Sequence, residues 1–179
     1  MSRSNPFKKK RRAASKTLLV YGEGLGEEMF LKHLKRLYAY GSNTAVTIRN
    51  GRGGDAASIV INADNEPGGF NKKVVVLDND KRPEEMNRAR QEAQTRGIEL
   101  FENNPCLEAM LLVVLNGGQS YKTKGSGWCK NQFQSQHIGK KKRSDTREYE
   151  RVFPKSLLDA KRSQVAELDT LISLITGNF

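Results

Sequence analysis

The chain has 179 residues, of which 28% are charged, 36% hydrophobic and 7% aromatic, and its formal net charge is +11. This length suits one domain with a hydrophobic core, and no apolar run approaches the roughly 20 residues that cross a bilayer. The basic N-terminus lacks the apolar segment of a signal peptide, and two cysteines, Cys106 and Cys129, are too few for a disulfide framework. We therefore expect a soluble, cytoplasmic protein without membrane contact.

Strand and helix patterns alternate from residue 16 onwards. Because a β-α-β-α order is typical of parallel sheets covered by helices on both faces, we predict an α/β fold with a mainly parallel, Rossmann-like sheet of about four strands. Short apolar runs predict strands at residues 16–21, 45–49, 74–77 and 98–101. Helical spacing, Pro83 at a helix start and Gly97 at a helix end predict helices at residues 27–38, 55–63, 83–96 and 105–115.

The rest of the chain is assigned by composition. Residues 1–15 are expected to form a disordered basic tail, followed by the core at residues 16–115. Residues 116–150 lack hydrophobic periodicity and are rich in Gly, Ser, Lys and Gln, so we predict a long basic loop or insertion. Residues 151–179 include an amphipathic stretch and are predicted to form one or two helices that close the same domain.

The positive charge is concentrated in the tail and in one later run. Residues 1–16 carry seven basic residues and no acid, which leaves +4 for the remainder of the chain. Such runs attract polyphosphates by releasing counterions, independently of sequence. We therefore predict nucleic-acid contacts, against the alternative of a tail that only improves solubility. The predicted contact residues in these runs are Lys8, Lys9, Lys10, Arg11, Arg12, Lys140, Lys141, Lys142 and Arg143.

Carboxylates follow the predicted strands at the point where each strand ends. Glu23 comes after the first strand and Glu27 opens the next helix, Asp78 and Asp80 follow the third strand, and Glu108 lies in the helix after the fourth. In open α/β sheets ligands bind at the carboxyl ends of the strands, so we expect the five acids to gather there. Clustered carboxylates oppose one another's ionisation, and a hard cation with oxygen ligands removes that repulsion. Each acid alone is more typical of a turn or a helix start, but their joint placement at three strand ends predicts a Mg²⁺ or Mn²⁺ site.

Other kinds of site fit the sequence less well. In residues 20–30, VYGEGLGEEMF, the third glycine of G-x-G-x-x-G is replaced by Glu27 in one register and by Met29 in the other. The glutamates of this stretch would also repel a pyrophosphate. No P-loop sequence occurs in the chain. Cys129 and His137 are eight residues apart without a second nearby pair, which disfavours zinc. Ser126 lacks the preceding strand and the G-x-S-x-G spacing of a nucleophile elbow.

The order of these motifs resembles the TOPRIM domain of topoisomerases, primases and OLD-type nucleases. Residues 21–34, YGEGLGEEMFLKHL, are similar to its first motif, and residues 74–80, VVVLDND, are similar to its second. A closer resemblance is to the RloB-like family, small TOPRIM proteins associated with phage resistance. That resemblance covers most of residues 5–175 and is most specific at residues 104–108, NPCLE.

The resemblance implies roles for all five carboxylates. Glu23 would act as a general acid or base or as a metal ligand. Asp78 and Asp80 would hold Mg²⁺ or Mn²⁺. Glu27 and Glu108 would hold a second metal ion or position a water molecule.

Two positions depart from the family pattern. Gly26 stands where a Ser or Thr is usual before Glu27, and Lys81 follows Asp80 where a further acid is usual. Lys81 is instead predicted to contact nucleic acid and stabilise phosphate charge. The number of metal ions and the activity of the site are left open by these changes.

The sequence thus predicts a Mg²⁺-dependent nuclease that takes part in antiphage defence. One alternative is a non-catalytic subunit that binds nucleic acid or other components of a defence system. Another is a nuclease acting on structured RNA, such as tRNA, because nothing in the sequence selects DNA over RNA. A homo-oligomer is compatible with each of these predictions.

Overall fold

A computed structural model of the chain describes residues 14–117 and 119–179. Residues 1–13 and Gly118 lie outside the described residues, and with them the predicted tail contacts Lys8, Lys9, Lys10, Arg11 and Arg12. None of the helices in the described part has the length and apolar character that a membrane span needs.

Four parallel strands form the centre of the fold. They are paired in the order β2-β1-β3-β4, and every pair is parallel. The predicted α/β class and the predicted four-stranded parallel sheet are therefore confirmed. The strands are β1 (Lys16–Gly22), β2 (Thr44–Asn50), β3 (Lys72–Asp78) and β4 (Glu99–Asn103).

Helices cover both faces of the sheet, as the strand sequences require. Successive residues of β1 and β3 point to opposite faces, so Leu18 and Val74 lie in one buried cluster and Leu19 and Val75 in another. The first cluster is covered by α1, α4 and the C-terminal helices, and the second by α2 and α3. The core helices are α1 (Leu25–Tyr38), α2 (Ala56–Asp64), α3 (Pro83–Arg96) and α4 (Leu107–Asn116).

Residues 116–150 were predicted to form a long loop or insertion, and the loop part of that prediction is wrong. This segment contains α5 (Ser126–Gln136), a 3₁₀ turn at Lys140–Lys142 and α6 (Thr146–Val152). Its buried residues, including Cys129 and Phe133, are few and separated by long polar stretches, so the sequence shows no clear hydrophobic period. The predicted closing helices are present as α7 (Lys155–Arg162) and α8 (Ala166–Thr176).

The strand order reverses between β1 and β3, and this places a crevice at their carboxyl ends. Gly22, the last residue of β1, pairs with Asn50 on one side and Val76 on the other. The next residue, Glu23, donates its backbone N–H to the Val76 carbonyl at 3.0 Å. The turn between β1 and α1 is thereby fixed against β3, where the predicted acids lie.

We expect Gly22→Ala to lower the free energy of unfolding by about 1–3 kcal/mol, the usual cost of overpacking. A Cβ atom at Gly22 would lie 2.8 Å from Glu27 Cβ and 3.3 Å from the Glu28 backbone nitrogen, so α1 would have to move. The matched control is Gly127→Ala in α5, where the added Cβ meets no atom within 4 Å and helix propensity should stabilise by roughly 0.5–1 kcal/mol. Urea denaturation of both variants measures this, and equal effects would contradict the close approach at Gly22.

Candidate metal centre

Three carboxylates are buried together at the carboxyl-end edge of the sheet. Asp78 ends β3, Glu27 lies in the first turn of α1 and Glu108 in the first turn of α4. Their exposed fractions are 4%, 7% and 8%, respectively. Acids are rarely buried without partners, because an ionised carboxylate is strongly disfavoured away from water. What each of these side chains contacts therefore determines what the cluster can do.

Asp78 has partners on both carboxylate oxygens. Its Oδ1 accepts hydrogen bonds from the backbone N–H of Leu107 at 2.9 Å and from Asn103 Nδ2 at 3.5 Å. Its Oδ2 lies 3.0 Å from Lys130 Nζ. Burial raises the pKa of Asp78 to about 6, and the neighbouring Glu108 acts in the same direction against the lowering effect of Lys130. The aspartate is thus held in place from β4, α4 and α5.

Glu27 has a single backbone partner. Its Oε2 accepts a hydrogen bond from the Gly24 N–H at 3.0 Å, which closes the first turn of α1. Burial, and next the charge of Asp78, raise the pKa of Glu27 to about 7, with smaller contributions from Glu108 and Glu23. Near neutral pH, and without a cation, this side chain is therefore partly protonated.

Glu108 has an oxygen without a partner. Among the described residues, Glu108 Oε2 and Asn103 Oδ1 are buried side-chain oxygens that lack a hydrogen bond. One oxygen of Glu108, one oxygen of Asp78 and the Cys106 sulfur lie within 4.8 Å of one another. A buried acceptor of this kind is costly unless a proton or a cation satisfies it. The cluster therefore has the donor atoms and the unmet acceptor that a cation site requires.

Cys106 is the least suitable donor of this group for a hard cation. Burial raises the pKa of its thiol to about 12, and Glu108 and Asp78 act in the same direction. The sulfur therefore remains a thiol at neutral pH, whereas metals bind the thiolate. Oxygen atoms dominate the centre, a composition that suits Mg²⁺ or Mn²⁺ better than zinc.

Glu23 lies at the edge of the buried group and is paired with Lys81. Glu23 Oε2 accepts a hydrogen bond from the Asp78 N–H at 3.2 Å, and Oε1 lies 2.9 Å from Lys81 Nζ. Lys81 is also 3.9 Å from Glu85, and its side chain is only 15% exposed. In this structure the Lys81 ammonium neutralises acids of its own chain, and its contact with nucleic acid stays a prediction.

Asp80 is joined to the centre through α5. Its Oδ2 accepts a hydrogen bond from Ser126 Oγ at 2.6 Å and lies 3.1 Å from Lys130 Nζ. The same ammonium contacts Asp78, so Lys130 bridges the two aspartates that were predicted to share a metal ion. Ser126 and Lys130 are one helical turn apart and therefore reach the same side of α5.

The five predicted carboxylates all lie at one edge, but in two kinds of environment. Glu27, Asp78 and Glu108 form the buried group, while Glu23 and Asp80 flank it and are paired with lysines. Sequence reasoning did not identify Asn103, Cys106 or Lys130 as parts of the centre. Cys106 belongs to residues 104–108, NPCLE, and Asn103 directly precedes them, but Lys130 lies in a segment without any recognisable pattern.

The second basic run lies on the surface of the 3₁₀ turn and its flank. Lys140 and Lys141 are exposed, Lys142 pairs with Glu148 at 2.7 Å, and Arg143 is half-buried. The ammonium groups of the two exposed lysines, Lys140 and Lys141, are therefore accessible to an external anion. Contact between this run and nucleic acid stays a prediction.

Protein-family models, curated protein sequences and solved structures were compared with the chain, and none matches it. The resemblance to TOPRIM-domain and RloB-like proteins accordingly stays a prediction from the motifs. The chemistry open to the centre follows from the geometry and charge of its own residues.

In the absence of metal, we expect the protein to lose stability as the pH rises from about 4.5 to about 7. The pKa of Glu27 is raised from an ordinary 4.5 to about 7 in the folded state, so its contribution is fully present below about 4.5 and is lost above about 7. The loss is at most roughly 3 kcal/mol. Asp78 acts in the same direction at slightly lower pH.

Urea denaturation in EDTA across this pH range measures the effect. Glu27→Gln, which carries a neutral side chain at every pH, should reduce the slope. The control Asp159→Asn should not, because Lys155 and Tyr38 lower the pKa of Asp159 and move its titration below this range. Parallel pH profiles for wild type and Glu27→Gln would contradict the assignment.

Proposed function

We propose that this chain is a Mg²⁺- or Mn²⁺-dependent nuclease that hydrolyses phosphodiester bonds of nucleic acid. The observation that carries the proposal is the buried group of Glu27, Asp78 and Glu108, with one Glu108 oxygen unpartnered. Such a group is unexpected in a chain with a net charge of +11. It lies where the strand order reverses, the usual ligand-binding position of open α/β sheets.

The side chains that would hold the cation are Asp78 and Glu108, with Glu23, Glu27 and Asp80 as further oxygen donors. The fit is supported by the unpartnered oxygen of Glu108 and by the predominance of carboxylates around it. When bound, a divalent cation supplies Lewis-acid stabilisation of a phosphoryl oxygen and a water molecule of lowered pKa.

The chain's own residues would contribute charge and proton transfer. Lys81 and Lys130 place two ammonium groups within 3.1 Å of the carboxylates that flank the centre. If a cation takes their place at the carboxylates, both lysines become available to a phosphate, whose charge they would stabilise. Glu27, whose pKa is about 7 without metal, can give up a proton near neutral pH when a cation binds.

We extend the proposal to the biological setting that the motifs suggest. The resemblance of residues 21–34, 74–80 and 104–108 to TOPRIM and RloB-like proteins supports a cytoplasmic nuclease of antiphage defence. The basic run at residues 140–143 and the basic N-terminal residues support nucleic acid as the partner. Other subunits of a defence system and a second copy of the chain remain proposed partners.

A non-catalytic nucleic-acid-binding subunit is the second candidate, and one observation favours it. Lys81 and Lys130 already neutralise Glu23, Asp78 and Asp80 without any added ion. A centre satisfied by its own lysines would have a structural role, and binding to nucleic acid would then be independent of metal. RNA and DNA are both open as ligands for either candidate.

The nuclease proposal predicts cleavage that requires Mg²⁺ or Mn²⁺ and is lost in EDTA. Asp78→Asn and Glu108→Gln should each reduce the rate at least about 100-fold, because each removes a charged ligand without changing the side-chain shape. Asp159→Asn, a surface acid paired with Lys155, serves as the control and should leave the rate unchanged. Labelled single-stranded, duplex and structured RNA and DNA are the substrates.

Retention of cleavage by both variants would overturn the nuclease assignment. Nucleic-acid binding that persists in EDTA, with no cleavage of any of these substrates, would favour the non-catalytic subunit instead.

Lys130→Met should increase the affinity of the centre for Mn²⁺ by at least about tenfold. The ammonium lies 3.0–3.1 Å from Asp78 and Asp80, and its charge opposes that of an incoming cation at close range. Isothermal titration calorimetry with Mn²⁺ measures the change, with Lys155→Met, the partner of the surface acid Asp159, as the control. An unchanged or weaker affinity in Lys130→Met would contradict a cation site at these aspartates.

A further inference from the structure

Arg52 has an unusual backbone conformation. Among the described residues it is the non-glycine residue with a positive φ, +57°. This left-handed region is unfavourable for a side chain with a Cβ atom, and glycine adopts it freely. Three of its near neighbours, Gly51, Gly53 and Gly54, are glycines, yet an arginine occupies this position. Such strain persists mainly where a side chain is needed at a functional site.

The loop that carries Arg52 is held by four hydrogen bonds, of which three join it to Gly22, Glu23 and Lys81 at the candidate centre. The Gly51 N–H donates to the Gly22 carbonyl at 2.9 Å, and the Gly53 N–H donates to the Glu23 carbonyl at 2.9 Å. Lys81 Nζ donates to the Gly54 carbonyl at 3.3 Å. The Arg52 N–H itself donates to the Asn50 side chain at 3.0 Å. Arg52 is therefore held at a defined position on the rim beside Glu23.

The Arg52 side chain has no acidic partner within the described ranges, 14–117 and 119–179. By contrast, Arg49, three residues before it, pairs with Glu66 at 2.7 Å, and Asp55, three residues after it, is paired with Arg88 at 3.3 Å. Arg52 is exposed. Arg52 thus carries an exposed guanidinium on a fixed stretch of backbone, and no acid within the described residues neutralises it.

The surface around Arg52 is open to a polyanion. Cβ atoms placed at Gly53 and Gly54 would meet no atom within 4 Å, so the backbone here is bare. A guanidinium presents a planar pair of N–H donors that matches two oxygens of a phosphate. The carboxylates repel a phosphate from the centre. A positive side chain nearby, such as that of Arg52, would attract the phosphate and hold it close to the centre.

We propose that Arg52 binds a backbone phosphate of the nucleic acid and so positions the strand at the carboxylate centre. This inference rests on the proposed function, since it assumes that nucleic acid is the ligand. It adds a contact on the loop between β2 and α2, a region that the basic tail and the 140–143 run do not include. The left-handed backbone at Arg52 sets the course of the loop, and the arginine side chain supplies the positive charge that binds the phosphate.

The test is the salt dependence of oligonucleotide binding in EDTA, where cleavage cannot occur. Arg52→Asn removes the charge, and asparagine tolerates the left-handed region. It should reduce the slope of log K against log salt concentration by about 0.9 for duplex and about 0.7 for single-stranded ligands. Lys35→Gln is the matched control: this exposed lysine lies in the last turn of α1, towards the opposite edge of the sheet, and its loss should leave the slope unchanged.

Arg52→Gly separates binding from folding. It should show the same loss of slope as Arg52→Asn, with a thermal unfolding midpoint no lower than that of wild type, because glycine relieves the strain. A lowered midpoint would overturn the inference by showing that the arginine serves the fold. If the wild type binds and Arg52→Asn shows the same salt slope as the wild type, this inference is overturned and the proposed function is not affected. Absence of wild-type binding in EDTA would overturn this inference, and absence of binding in Mg²⁺ as well would overturn the proposed function with it.

Discussion

Burial of three carboxylates at one point is the constraint on which the rest of this structure depends. Glu27, Asp78 and Glu108 come from three different elements and are brought together where the strand order reverses. Their mutual repulsion must be offset, because charges in this position are poorly screened by water. The raised pKa values of Glu27 and Asp78 show one form of relief, which is partial protonation. Binding of a divalent cation is a second way to relieve the repulsion, and it is the one that the proposed function assumes.

The positive groups around the centre follow from the same constraint. Lys81 and Lys130 lie against the flanking acids and stabilise them without a metal. Arg52, which has no such partner among the described residues, remains available to an external anion. In our account, a cation displaces the internal ammonium contacts from the acids, and the released lysines, together with Arg52, then hold the phosphate.

The sequence predicted the sheet and the position of the acids but not the contacts that balance their charge. Parallel strands with apolar runs bring their carboxyl ends to one edge, so Glu23 and Asp78 could be placed from their order in the chain alone. The helix that carries Lys130 was missed because its buried residues, Cys129 and Phe133, are too few to give a clear period. The conformation of Arg52 could not be predicted either, since composition favoured its glycine neighbours for a positive φ.

The most direct test of the account is the anomalous scattering of a crystal soaked in Mn²⁺. We predict a peak in contact with carboxylate oxygens of Asp78 and Glu108, with the Lys130 ammonium displaced from its position between Asp78 and Asp80. The same soak of Asp78→Asn crystals should give no peak there. A wild-type crystal without manganese at these carboxylates, and with Lys130 still bridging the two aspartates, would contradict the central claim.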